Sequence, residues 1–239
     1  MKDSNTKHGS KFTFNENVAG CFSDMLERSI PSYQLMRELT TMFIQSQLNE
    51  CEELLQNLLV IDVGTSTGEV IHSVADQYET VDFIGLENSD SMIKESRERF
   101  KEFKNVKIKK HDLRNKFSVP YKADVIISSL TIQFTPIEYR LQILQNIYDN
   151  LEDGGMFIFI EKVIGSSAKL DQEFIDIYYD IKLQNGYSQE EINRKKFALE
   201  GVLVPVTAKW NEEMLMMSGF KDVDCFWRCL NFCGWVAKK

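Results

Sequence analysis

No run of about 18 or more apolar residues occurs in this 239-residue chain, and Met1 to Lys11 is polar, without the apolar core of an export signal. The expectation is a cytoplasmic protein with no membrane partner. Basic excess is also lacking. Against 36 Asp and Glu stand 28 Lys and Arg, the net charge is -8, and the cations are scattered. No stripe exists to neutralise a phosphate backbone, which argues against bulk nucleic-acid binding while leaving room for a local basic pocket. Histidine is scarce, and His8, His72 and His111 lie far from Cys225, Cys229 and Cys233, so no zinc site is expected. The C-x3-C-x3-C spacing of those cysteines is not the C-x3-C-x2-C of a radical-enzyme cluster loop, and no metal is expected at all. An odd total of five cysteines fits a reducing compartment and buried free thiols that only pack. Repeats, low-complexity tracts and Pro/Gly/Ser linkers are missing too, so residues 1–239 are read as one domain.

What is present is 43% apolar content, enough for a full core. Val18, Phe22, Met25 and Leu26 recur at helical spacing, and Pro31 separates them from a second helical stretch, Ser32 to Leu54; together residues 1–54 form a helical cap. From Leu58 the pattern becomes short apolar runs between amphipathic helices. Leu58–Val63, Val81–Leu86, Val106–Lys109, Ala123–Leu130 and Met156–Ile160 read as strands of a mainly parallel sheet with helices on both faces. Ser89 caps the helix after strand two, Thr135–Pro136 opens another, and Gly154–Gly155 ends it. Leu170–Gln184 and Ser188–Leu199 exceed a minimal crossover and define a helical insertion, 165–205, over the ligand edge. A helix at Ala208–Ser218 and two strands, Val223–Leu230 and Phe232–Ala237, close the chain as an antiparallel edge.

The strongest local signal is Val60-Ile61-Asp62-Val63-Gly64-Thr65-Ser66-Thr67-Gly68, an apolar strand entering a small-residue turn and then a helix. Such a turn brings backbone N–H groups toward a ligand, although it also serves as an ordinary tight connection. The full G-x-G-x-x-G fingerprint is absent, which disfavours a nicotinamide dehydrogenase. Glu87 ends strand two at about the 20-residue offset where a carboxylate accepts hydrogen bonds from a ribose diol. Asp112, with the N–H of Leu113, closes strand three where an adenine edge can be read. All these positions lie at carboxyl ends of parallel strands, where open α/β sheets bind ligands.

Together these residues, with Asp153-Gly154-Gly155 before strand five, resemble class I S-adenosylmethionine-dependent methyltransferases, which implies a Rossmann-like fold. Four further segments are similar to carboxy-S-adenosyl-L-methionine synthases over nearly the whole chain: Phe12–Tyr33 (FTFNENVAGCFSDMLERSIPSY), Thr131–Phe134 (TIQF), Asn185–Ile192 (NGYSQEEI) and Leu230–Phe232 (LNF). The resemblance implies conversion of S-adenosyl-L-methionine and prephenate to carboxy-S-adenosyl-L-methionine and phenylpyruvate, through a sulfonium ylide that captures carbon dioxide. The product is a carboxymethyl donor for wobble uridine of tRNA, and a homodimer is implied as well. It places cofactor contacts on Tyr33, Gly64, Thr65, Ser66, Glu87, Asn88, Asp112 and Leu113. Ser129 stands where the family has Asn, and Lys196 stands where it has the Arg that reads the added carboxylate; Arg194 is a nearby second cation. Lysine keeps the charge but loses the bidentate fork. Two other readings remain open: a small-molecule methyltransferase, and a module that binds S-adenosyl-L-methionine without turning it over.

Overall fold

The computed structural model describes residues 11–52 and 57–239; the expected polar start and the helix end at Leu54 lie outside them. The single N-terminal helix expected across Val18 to Leu26 is two. Helix α1, Glu16–Ala19, starts where the Asn15 side chain accepts from the N–H groups of Asn17 and Val18, both at 3.1 Å. Gly20 and Cys21 break it, and α2 follows at Phe22–Ser29. Pro31 and Ser32, the latter at φ 55°, turn the chain into α3, Tyr33–Glu52.

Four strands run parallel: β1 (Leu59–Val63), β2 (Asp82–Glu87), β3 (Val106–Lys110) and β4 (Ala123–Ser129). β5 (Leu151–Ile164) joins β4 in the same direction and pairs with the short β6 (Val206–Thr207), which the sequence pattern does not announce. β7 (Asp222–Cys229) and β8 (Phe232–Lys238) form the expected antiparallel edge. The order is β3-β2-β1-β4-β5-β8-β7, so successive strands wind outward in opposite directions from β1 and β4. Between strands lie α4 (Glu69–His72), α5 (Asp90–Arg99), α6 (Ile137–Asn150), α7 (Ala168–Gln184), α8 (Gln189–Leu199) and α9 (Ala208–Met217).

β1 is buried along its whole length because both sheet faces are covered. Leu144, Ile147, Leu215, Phe159 and Trp235 pack on one face; Met36, Ile44, Leu48 and Tyr178 close the other. A third, smaller cluster joins Phe12, Val18 and Met25 to Met92 and Ala198, so the N-terminal segment touches the helical insertion. The Phe12 N–H donates to the Ala198 carbonyl at 2.9 Å.

Three local expectations change. α6 ends at Asn150, before Gly154–Gly155, because Leu151 is already extended and pairs with Ala123. Thr135 is not its cap: the hydroxyl donates to the Ile132 carbonyl at 2.7 Å and Pro136 takes the N-terminal position. The cysteines are free as expected, but only Cys233 is buried; Cys225 is exposed because its end of β7 lies on the open edge.

Arg140, 1% exposed, fixes the segment that follows β4. Its guanidinium donates to the carbonyls of Gln133 (3.1 Å), Thr135 (3.0 Å) and Val204 (2.7 Å). Glu161, 2% exposed, accepts from the Ile132 N–H at 3.0 Å and lies in the field of Arg140. Removing the guanidinium takes a charged donor from the Thr135 and Val204 carbonyls. Arg140→Leu should lower the unfolding free energy by about 3 kcal/mol in urea denaturation, the worth of one or two hydrogen bonds to a charged group. A loss below about 0.5 kcal/mol, the range of an ordinary surface change, would show that the segment is held by other means.

Candidate active site

A cavity of about 520 Å³ opens at the carboxyl ends of β1 to β4, with further walls from α2, α3, α7, α8 and β8. Tyr33, Gly64, Thr65, Ser66, Glu87, Asn88, Asp112, Leu113 and Ser129 all line it. The chain therefore gathers in one place nine residues spread over almost a hundred positions. Arg194 and Lys196 are not among the lining residues; Lys196 is exposed, and Lys195 faces the cavity in its place. On α8, Lys195 shares the inward stripe of Ile192 and Leu199, and Lys196 is turned about 100° away.

The turn after β1 commits its first three N–H groups to β2. Gly64 and Thr65 donate to the Leu86 carbonyl at 2.7 and 3.0 Å, and Ser66 donates to Glu87 Oε2 at 2.8 Å. Gly64 has φ +75°, and a Cβ built there would lie 2.2 Å from Thr131 Cγ2. The glycine thus makes room for the segment after β4, which itself walls the cavity. Ser66, at φ 53°, shares the left-handed conformation.

Glu87 is the hub of hydrogen bonds at the β1–β2 side of the cavity. Oε1 accepts from the N–H groups of Asn88 (2.8 Å) and Ser89 (2.9 Å) while Oε2 holds Ser66. Ser89 caps α5 by accepting from Met92 at 3.4 Å, as its position implied, and also donates to the Phe14 carbonyl at 2.6 Å. Asp112 is pinned by Arg114, whose Nε lies 3.0 Å from each carboxylate oxygen; that bond and its charge hold the carboxyl below the usual range. Burial pushes the Tyr33 hydroxyl up to about 12, so the ring presents a neutral phenol.

Asp62, 2% exposed and reached by the Thr65 hydroxyl at 2.8 Å, is pushed up to about 7 by burial. Glu161 behind the cavity is pushed up to about 8 for the same reason. On the far wall, burial brings the Lys162 ammonium down to about 8. Sequence reasoning passed over Asp62, Lys162 and Lys195. The signal for Lys162 was the pair Glu161-Lys162, the one charged interruption in the apolar run Met156–Ile164. Among the described residues no group of three or more His, Cys, Asp or Glu is placed to hold a metal ion.

A sheet of this order with a cavity at its β1/β4 edge defines a class I methyltransferase-type domain, and the methyltransferase-domain family model matches residues 54–216. The solved carbon methyltransferase CurJ superposes with a TM-score of 0.65 at 14% identity, covering 95% of this chain and 61% of that one. Human N-acetylserotonin methyltransferase, solved with its methyl donor, gives 0.53 at 15% identity, covering 76% of this chain and 47% of that one. The chain thus spans about half to three fifths of those proteins, and the likeness is one of fold. Curated relatives are nearer. Carboxy-S-adenosyl-L-methionine synthase of Nautilia profundicola is 36% identical over 235 residues, covering 96% of this chain and 95% of that protein. The synthase of Wolinella succinogenes is 37% identical, covering 96% and 94%, and that of Helicobacter pylori strain J99 is 36% identical over both full lengths. The chain belongs to the carboxy-S-adenosyl-L-methionine synthase family.

Two outcomes are expected of the geometry alone. Gly64→Ala should lower the melting temperature without ligand, since a side chain at positive φ costs about 1–2 kcal/mol before the collision with Thr131 is counted; an unchanged melting temperature would mean the turn relaxes freely. Asp62 holds in the folded chain a proton that the unfolded chain gives up near pH 4. Its contribution therefore draws stability down as pH rises from about 4 to about 7 and then levels off. Asp62→Asn should flatten that part of the stability profile, leaving the Glu161 share, and an identical slope in both proteins would assign the proton elsewhere.

Proposed function

We propose that this protein binds S-adenosyl-L-methionine in the cavity and carboxylates it with prephenate, giving carboxy-S-adenosyl-L-methionine and phenylpyruvate. The observation that carries the reading is the convergence of all nine family-matched cofactor positions on one cavity, in a chain matched end to end by proteins of that name. The exchange balances with one water released. Prephenate gives up its carboxyl carbon and its ring hydroxide, and the donor methyl gives up one proton to that hydroxide.

Bound S-adenosyl-L-methionine supplies a methyl carbon made acidic by its sulfonium. The chain's own residues position and shield it. Glu87 keeps lone pairs for the ribose hydroxyls after its backbone bonds are made, and Asp112 with the Leu113 N–H faces the adenine. Tyr33 and Phe134 supply ring surface, and Phe14 packs edge-on against Phe134 at 5.2 Å, closing that wall against water. The segments 1–54 and 165–205 serve this reading as cap and insertion around one catalytic domain. The neutral Asp62 at the base adds no second negative charge beside Glu87 below about pH 7.

The family further supports a cytoplasmic homodimer feeding tRNA wobble-uridine modification, with small molecules as the direct partners. Lys196 keeps its proposed role toward the added carboxylate only if α8 shifts or a second copy presents it, because in the single chain it lies outside the cavity. If that role holds, Lys196→Ala should weaken binding of the carboxylated ligand far more than of S-adenosyl-L-methionine, and equal losses would remove it.

Incubation with S-adenosyl-L-methionine and prephenate should yield phenylpyruvate and a ligand heavier by one carboxyl group in mass analysis. Recovery of unmodified ligand alone would favour a methyltransferase or a binding module. Glu87→Gln should weaken S-adenosyl-L-methionine by roughly tenfold in calorimetry, the worth of a hydrogen bond to a charged group; unchanged affinity would take the ribose away from this residue.

A further inference from the structure

The cavity is electrically two-sided. Asp62, Glu87 and Asp112 line the β1–β3 side; Lys162 at the end of β5 and Lys195 of α8 are the lysines of its lining. Lys162 is rigidly placed. Its N–H donates to Gln133 Oε1 at 2.7 Å, and its backbone pairs with Phe232 across the sheet. Its ammonium lies over the Tyr178 ring, 4.9 Å from the centroid, and 5.9 Å from that of Phe232. Among the described residues no carboxylate lies within ion-pair distance of it and no acceptor is within hydrogen-bond reach. Asp171 acts on it only through its field, having one oxygen committed to the Gly165 N–H at 2.8 Å.

A cation held this way is costly. Ring faces return about 0.5–2 kcal/mol, whereas removing an ammonium from water costs several kcal/mol. An anion of the right shape recovers the difference. More positive charge stands behind it: Lys182 lies between Tyr178 (5.2 Å) and Tyr187 (4.8 Å), and the Lys195 ammonium is 5.6 Å from Tyr187 and 3.4 Å from the Ser29 hydroxyl. In a chain of net charge -8 this concentration of lysines around two buried tyrosines stands apart from the scattered cations elsewhere.

We propose that the Lys162 ammonium, seated on the rings of Tyr178 and Phe232, binds a carboxylate of the anionic second substrate at the β5 wall of the cavity. The inference rests on the carboxylation reading and names the residue that recognises the carboxylate donor. The aromatic surface beside the cation suits a substrate whose carboxylates flank a hydrophobic ring.

The test titrates prephenate into protein loaded with S-adenosylhomocysteine, which lacks the reactive methyl, and follows kcat and KM in parallel. Lys162→Met should fold with an equal or higher melting temperature, because a desolvated charge is replaced by an apolar chain of similar length. Its affinity for S-adenosylhomocysteine should stay within roughly twofold of wild type, since the two sites share no partner. Its affinity for prephenate should fall by roughly tenfold or more, with KM rising in step, the loss of one charge-assisted bond. Lys162→Arg should recover part of it, and Lys162→Gln repeats the comparison should the Met variant not fold. Unchanged prephenate binding in the Met and Gln variants, with normal wild-type binding, overturns this inference alone. Wild-type protein with neither affinity for prephenate nor turnover overturns the carboxylation reading, and this inference with it.

Discussion

The backbone hydrogen bonds of two buried side chains, Arg140 and Glu161, are the constraint on which the ligand-facing edge depends. A buried polar group is tolerated when its hydrogen-bonding capacity is filled, and here the backbone fills it. Arg140 takes carbonyls at Gln133, Thr135 and Val204, and Glu161 takes the Ile132 N–H. The segment between β4 and α6 is thereby nailed to β5 on one side and to the chain entering β6 on the other. Thr131 then meets Gly64, Phe134 meets Phe14, and Gln133 reaches the backbone of Lys162. Two buried side chains, each bonded to the backbone of this segment, thus set the relative positions of the glycine turn, the N-terminal wall and the lysine wall.

Around that frame the cavity separates its charges by side. Carboxylates collect at the ends of the first three strands, the side proposed for the nucleoside. Lysines collect where β5, α7 and α8 meet, the side proposed for an anionic substrate. The burial that raises Asp62 also depresses Lys162, so near neutral pH both groups respond to what binds beside them.

Much of this was legible in the chain, and the illegible part has identifiable causes. Apolar runs ending in Gly64 and Glu87 marked two strand ends, because burial on both sheet faces leaves little choice of residue, whereas β3, at the sheet edge, showed only as Val106 and Ile108 alternating with lysines. Ser89 announced α5, and α8 starts where expected, held by a capping box of Ser188 with Glu191. What escaped depended on contacts distant in sequence. Gly64 reads as a place for a ligand, yet the atoms that require it belong to Thr131, 67 residues on. The N–H groups of its turn read as donors to a ligand, but β2 takes those of Gly64, Thr65 and Ser66. β6 has two residues and no periodicity to show. In the row Arg194-Lys195-Lys196, resemblance selected Lys196, whereas the stripe Ile192, Lys195, Leu199 carried the orientation.

The short backbone link from Phe12 to Ala198 joins segments separated by most of the chain, and both contribute to the cavity wall. Neither segment belongs to the sheet, so parting them leaves every strand pairing intact. The integrity of that wall therefore rests on the small cluster of Phe12, Val18, Met25, Met92 and Ala198, whose packing can loosen locally while the sheet stays folded.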